Sequence, residues 1–232
     1  MGDTREVGRE GSRFSGRREV AIGLGAYALY LGVRHVKMRR GARERAARNA
    51  ERIVALEERL GIHVEPTLQE AALRWRRPMA VVNVAYVTLN VGLTIGWLIS
   101  LFRRRDPDFH RYRRAALLCT LGAQPVFLLF PVAPPRTLEG FVDTIAEVSG
   151  FDLDGLVAEF YDPLAAMPSI HVAYAMVTAA GIAATARGPW ARRLAPAYPP
   201  LVALVVIVTA NHYVLDAVGG AVLGRLALRV SG

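Results

Sequence analysis

A second cysteine is missing. Cys119 stands alone in an apolar run, so the chain forms no internal disulfide and cysteine usage does not report a redox compartment. Acidic residues are also scarce: 20 Asp and Glu face 29 Lys and Arg, a net charge of +9, with an isoelectric point near 10.4. In a soluble protein that excess points to nucleic acid. No nucleic-acid recognition motif is present, however, and the arginines crowd into the first 77 residues and into "RRRDPDFHRYRR" (103–114), beside apolar stretches. Arginine in that position anchors a chain at anionic headgroups or sets its topology. Internal repeats are absent. So is a convincing small-residue cleavage site after the first apolar stretch, 20–36, which argues against a signal peptide.

What the chain has in quantity is apolar sequence. Hydrophobic residues make up 53% and mean hydropathy is +0.25, values that suit a polytopic membrane protein. Polar residues cluster between the apolar runs. Residues 1–18, rich in Gly, Arg, Glu and Ser, are expected to be a disordered tail. Apolar spans follow at 20–36, 79–101, 115–132, 168–186, 198–211 and 213–230. Crossing a bilayer takes about 20 residues, so the first span is short. The pattern predicts an all-α protein with six membrane helices, in three parts: the tail, residues 19–78, and a membrane domain over 79–232. Residues 37–60 place Ile53, Leu56 and Leu60 at helical spacing among charges, which predicts an amphipathic helix. It suits either a membrane surface or a solvated face laced by charge pairs.

Charge bears on topology. With residues 1–18 cytoplasmic and every span crossing, the arginine-rich 102–114 loop lies inside and the mildly acidic loop 131–167 outside, as the positive-inside rule prefers. The same count puts arginine-rich 37–77 outside, which the rule disfavours; reversing the chain repairs one loop and spoils the other. We take 131–167 as extracytoplasmic.

Ionisable groups inside such spans are informative, because an Asp at mid-membrane costs about 2.5–3.5 kcal/mol. His212 and Asp216 lie four apart, one helical turn, so the carboxylate can fix the imidazole tautomer and raise the basicity of the opposite nitrogen. His171 opens an earlier span. Alternating crossings bring His171, His212 and Asp216 to the membrane face of loop 131–167, whose only Arg or Lys is Arg136 in "PVAPPR". A guanidinium on a proline-stiffened segment suits a phosphate. Ser169 and the amides at a helix start add donors to the same anion, and Pro168 fits a first helical turn. The same His and Asp groups also suit a zinc site or a transporter's proton relay. Each residue taken singly suits ordinary packing.

With "PSIH" (168–171) and "HYVLD" (212–216) in hand, the sequence resembles the type 2 phosphatidic acid phosphatase (PAP2) superfamily. Its usual stretches are Lys-x6-Arg-Pro, Pro-Ser-Gly-His and Ser-Arg-x5-His-x3-Asp. Here Ile170 replaces the glycine, Val205 and Val206 occupy the Ser-Arg positions, and "RRP" (76–78) has Glu70 where the lysine belongs. The pattern is closer to the branch that contains fungal inositol phosphorylceramide synthase: "PVAPPR" (131–136), Met167 to Ala173, and 212–216. The segment "ALEERLGIHVEPTLQ" (55–69) also looks like the region before the second span in bacterial members.

The resemblance implies a multi-pass membrane enzyme acting on a lipid phosphate or phospholipid, with no metal or other cofactor. His212 would attack phosphorus and become a phosphohistidine. Asp216 would orient His212, and His171 would protonate the leaving alkoxide and then activate the acceptor. Arg136, with Ser169 as a further donor, would hold the phosphate. Water as acceptor gives a phosphatase; a lipid or sugar hydroxyl gives a phosphotransferase. Without the third-motif arginine, a singly charged phosphodiester is easier to neutralise than a monoester. A transporter or scaffold that uses the His/Asp pair structurally is the non-enzymatic alternative.

Overall fold

The computed structural model describes residues 14–38, 41–150 and 162–232. Residues 1–13 of the expected tail and part of loop 131–167 lie outside the described residues. The fold is all-helical, and among the described residues there is no strand, only an isolated parallel bridge between Val132 and Ala165. The helices are α1 (Gly16–Lys37), α2 (Ala42–Leu60), α3 (Glu65–Leu73), α4 (Arg76–Arg103), α5 (Phe109–Leu129), the short α6 (Thr144–Ser149), α7 (Ile170–Thr185), α8 (Pro189–Leu194), α9 (Tyr198–Val208) and α10 (Val214–Ser231). A single 3-10 turn, Ala195–Ala197, joins α8 to α9.

Each of the six apolar spans falls on helix: α1, α4, α5, α7, the α8–α9 rod and α10. Among the described residues, however, one helix is by itself long and apolar enough to cross a membrane, Pro189–Val208, with mean hydropathy 1.4. The others are diluted by charge or cut short. Arg34 and Lys37 end α1, Arg76 and Arg77 open α4, α5 starts "FHRYRR", and α7 has only 16 residues. The outward faces remain apolar all the same. Leu24, Val81, Ile95, Ile99, Leu201, Val218 and Val222 are all exposed.

The helix expected over 37–60 forms as α2, but its packed stripe differs. Ala42, Ala46, Asn49, Ala50, Ile53 and Glu57 are buried, while Leu56 and Leu60 are exposed. The alanines let α2 approach the chain around Val132, Ala133, Leu164 and Ala166 closely. The Ala133 amide donates to the Ala46 carbonyl at 3.2 Å, and the Asn49 side chain donates to the Pro131 carbonyl at 2.9 Å. The helix is thus a brace on the 131–136 segment.

Helix α7 is central, with Ala173, Ala175 and Val177 fully buried. Its closest neighbour is α10, and glycine makes that approach possible. A Cβ on Gly220 would sit 2.2 Å from the Ser169 carbonyl oxygen, and one on Gly224 2.8 Å from that of Ala173. The pair is a G-x-x-x-G spacing of the kind that brings membrane helices into backbone contact. The Ser169 amide donates to the Asp216 carbonyl at 2.9 Å across this seam. Because the obstacle is backbone, Gly220→Ala is expected to cost about 3 kcal/mol, read as a lower thermal midpoint in detergent. Gly219→Ala, whose Cβ would meet only the Pro168 side chain within van der Waals adjustment (3.3 Å), is the milder control.

Candidate active site

The site is built where helix ends converge: the last turns of α1, α5 and α9 meet the first turns of α7 and α10. His171 is the second residue of α7, capped by Ser169, whose hydroxyl accepts from the Val172 amide at 3.4 Å. Pro168 therefore stands before the cap rather than in the first turn, because the serine takes the capping position, and the Met167–Pro168 peptide is cis. Ser169 is fully buried with its hydroxyl turned to its own helix.

His212 lies in the turn between α9 and α10, its ring buried. Its Nδ1 is 2.8 Å from the Ala166 carbonyl oxygen and 3.4 Å from Asp216 Oδ2. Both neighbours only accept, so Nδ1 carries the proton and Nε2 presents its lone pair. That Nε2 faces His171 Nδ1 at 3.4 Å, with ring centroids 5.6 Å apart. Asp216 is fully buried and holds the turn, since its Oδ2 also accepts from the Tyr213 amide at 2.9 Å. The spacing argument thus brings His171, His212 and Asp216 together. The nearer partner of Nδ1, the Ala166 carbonyl, is a backbone group that no side-chain pattern could reveal.

Arg136 sits in a 3-10 turn, Pro135–Thr137, with its guanidinium buried. Nη1 donates to Asn211 Oδ1, Nε lies 3.4 Å from Asp143 Oδ2, and the Arg136 amide donates to the Ala210 carbonyl. Asn211 in turn donates to Thr209 Oγ1 at 2.9 Å. These bonds tie the "PVAPPR" segment to the turn that carries His212. Ala210 adopts a left-handed conformation there, φ 52°, which is costly for a residue with a Cβ.

A small cleft of about 50 Å³ opens onto the two histidines, lined also by Tyr30, Phe127, Pro134, Asp162, Ala166 and Asn211. Two of its supports escaped the sequence reading. Lys37, the only lysine in the chain, is buried at the end of α1 and pairs with Asp162 at 2.5 Å. Asp162 Oδ1 accepts from the Leu164 amide, and its own amide donates to the Tyr30 hydroxyl at 2.8 Å. The two charges are 125 residues apart in sequence, so only a lysine interrupting an arginine-only basic set could have signalled the pair. The Tyr86 ring packs tilted against that of His171, with centroids at 4.8 Å. The zinc alternative draws no support from geometry. Among the described residues, the ligand-type atoms that converge within 4.8 Å belong to Glu57, His63 and Glu65 instead.

Comparison with known proteins gives one positive finding. The family model described as the PAP2 superfamily matches residues 51–230. No curated protein and no solved structure matches the chain.

Proposed function

We propose that this chain, which belongs to the PAP2 superfamily, is a multi-pass membrane enzyme that moves a phosphoryl group from a lipid phosphoester through a phosphohistidine. Family membership itself points to a phosphatase or phosphotransferase. The observation that carries the finer reading is the facing pair: His212 Nε2 lies 3.4 Å from His171 Nδ1, and both residues line the cleft. His212 Nε2 attacks phosphorus and forms a P–N bond as the P–O bond to the lipid breaks. The departing alkoxide takes a proton from His171. Water or another hydroxyl then gives its proton to His171 and attacks phosphorus, releasing His212. The Asp216 carboxylate and the Ala166 carbonyl stabilise the imidazolium formed at Nδ1. Arg136, aimed by Asn211, offsets charge on the non-bridging oxygens. Ser169 acts chiefly by opening α7 at the cleft and is the weakest phosphate donor of the set. No metal takes part in the transfer.

The six helices are read as six crossings, with α2 at the interface and the tail before it, and the domain expected over 79–232 as the catalytic part. Support comes from the apolar outward faces and from polarity along the bundle. The histidines sit at one end, and the arginine-rich 103–114 connection sits at the other. We place the histidine end outside the cell membrane.

A second reading, transfer of a phospho-headgroup as in the inositol phosphorylceramide synthase-like branch, is favoured by charge. Lys37 is committed to Asp162, and Arg136 already faces Asp143. The cleft therefore suits the single charge of a phosphodiester better than a dianion. The test is the purified protein in micelles with labelled phosphatidate, a polyprenyl phosphate or phosphatidylinositol. An acid-labile, base-stable phosphoenzyme is expected. Phosphate release assigns hydrolysis. Diacylglycerol appearing only with an added acceptor alcohol assigns transfer. Turnover without any labelled protein sinks the phosphohistidine mechanism, and no turnover on the whole panel leaves the transporter reading in its place.

A further inference from the structure

The segment "ALEERLGIHVEPTLQ" is not used by the transfer chemistry, yet it contains the most heavily buried acidic groups outside the site. It forms the end of α2, a left-handed turn at Gly61 (φ 68°) and the start of α3. Glu57 and Glu65 are both completely buried. One oxygen of each has a clear task. Glu57 Oε1 accepts from the Leu215 amide and Glu65 Oε1 from the Val214 amide, both at 2.7 Å. These are two of the amides that a helix start leaves without partners.

The second oxygens are unaccounted for. Glu57 Oε2, Glu65 Oε2 and His63 Nδ1 are buried atoms with no hydrogen-bond partner, and all three lie within 4.8 Å of one another. His63 Nδ1 is 3.1 Å from Glu65 Oε2 and 3.6 Å from Glu57 Oε2. These are ion-pair distances, but neither contact is aligned as a hydrogen bond. Two carboxylates aimed at one point away from water demand a positive charge between them.

We propose that Glu57, His63 and Glu65 form a structural site for a divalent transition-metal ion, with zinc the best match. Two carboxylate oxygens and one imidazole are zinc donors. Metal–ligand bonds of about 2.0–2.2 Å in tetrahedral geometry put ligand atoms roughly 3.3–3.5 Å apart, near the two observed separations. The nitrogen donor favours zinc over magnesium or calcium, which prefer all-oxygen shells. The Val214 and Leu215 amides fix the other carboxylate oxygens, as an outer shell does for metal ligands. The His63 side is partly open, 19% exposed, leaving room for a water as fourth ligand. The ion would fasten the α2–α3 turn to the start of α10, the helix that carries Asp216.

The test uses the full chain carrying His212→Ala, so that no readout depends on turnover and failure of the transfer mechanism does not affect it. After chelator treatment, zinc chloride is added and both bound metal and thermal midpoint are measured. Stoichiometric zinc and a rise of about 5 °C or more at a hundredfold excess over Kd are expected. His63→Ala, a change at a partly exposed position, should fold like the chelated parent and lose both signals. Glu57→Gln keeps the Leu215 acceptor and should lose them too. Zinc held equally by the His63→Ala protein would place the ion elsewhere and overturn the site. No zinc bound, with Glu57→Gln raising the midpoint, would also overturn it, because the carboxyl pair would then share a proton.

Discussion

Replacing His212 by alanine is expected to lower turnover by at least about 10⁴-fold, the scale seen when an attacking group is removed from a unit that acts together. What decides this is which nitrogen is available. The Ala166 carbonyl and Asp216 occupy Nδ1, so Nε2 is the only lone pair that this buried ring offers to the cleft. Folding is a separate question. The substitution leaves the buried Ala166 carbonyl without its donor, which costs about 1–3 kcal/mol. A thermal midpoint therefore accompanies the rate measurement. His171→Ala gives the matching result. The role proposed for it, protonating the leaving group, can be bypassed by an ester with an acidic leaving group. With p-nitrophenyl esters the phosphoenzyme should still form in a burst, while later turnover stays slow by about 10²–10⁴-fold. A His212→Ala protein that is folded and keeps its activity would remove the proposed mechanism, and a burst from it would assign the nucleophile elsewhere.

The second large effect concerns Lys37. Both side chains of the Lys37–Asp162 pair are almost inaccessible to water. Removing one partner of such a pair leaves an uncompensated charge and costs about 3–5 kcal/mol. Lys37→Met should therefore show that loss in a detergent melt, and Asp162→Asn should show a comparable one. The double variant should recover most of it. Neither charge then remains, and the side-chain amide oxygen introduced at position 162 can still accept from the Leu164 amide. Additive losses in the double variant would mean that the two charges are not coupled. Because Asp162 lines the cleft, the recovered double variant also shows whether the pair serves only the fold. Restored stability with lost turnover would give Asp162 a part in the site itself.

Much of the helical plan was legible from apolar runs alone, since all six fall on helices. The failures have physical reasons. A run of apolar residues does not show which face packs. In α2 the contact surface is alanine, chosen for close approach, and Leu56 and Leu60 point outward. Pro168 fits a first helical turn by its own geometry, but Ser169 takes the cap and the helix starts at Ile170, two residues later than that reading required. The histidine–aspartate cluster was readable because its members are near helix starts at a fixed spacing. Partners supplied by backbone, such as the Ala166 carbonyl on His212, leave no trace in residue identity. Nor do contacts formed across the chain, such as Glu57 with the Leu215 amide; the Lys37–Asp162 pair shows only as one lysine in an otherwise arginine-only basic set.

The contact between α7 and α10 has a consequence for recognising such sites in other chains. Gly220 and Gly224 let one backbone rest on the other, and the Ser169–Asp216 hydrogen bond locks the rest position. The seam acts as a ruler: it sets the gap between the helix starts beside which both histidines stand. A chain that carries the same two histidines but a bulky side chain at the equivalent of 220 would hold them too far apart to serve one phosphorus atom. On the proposed mechanism, the glycine pair therefore matters to the site as much as the histidines do.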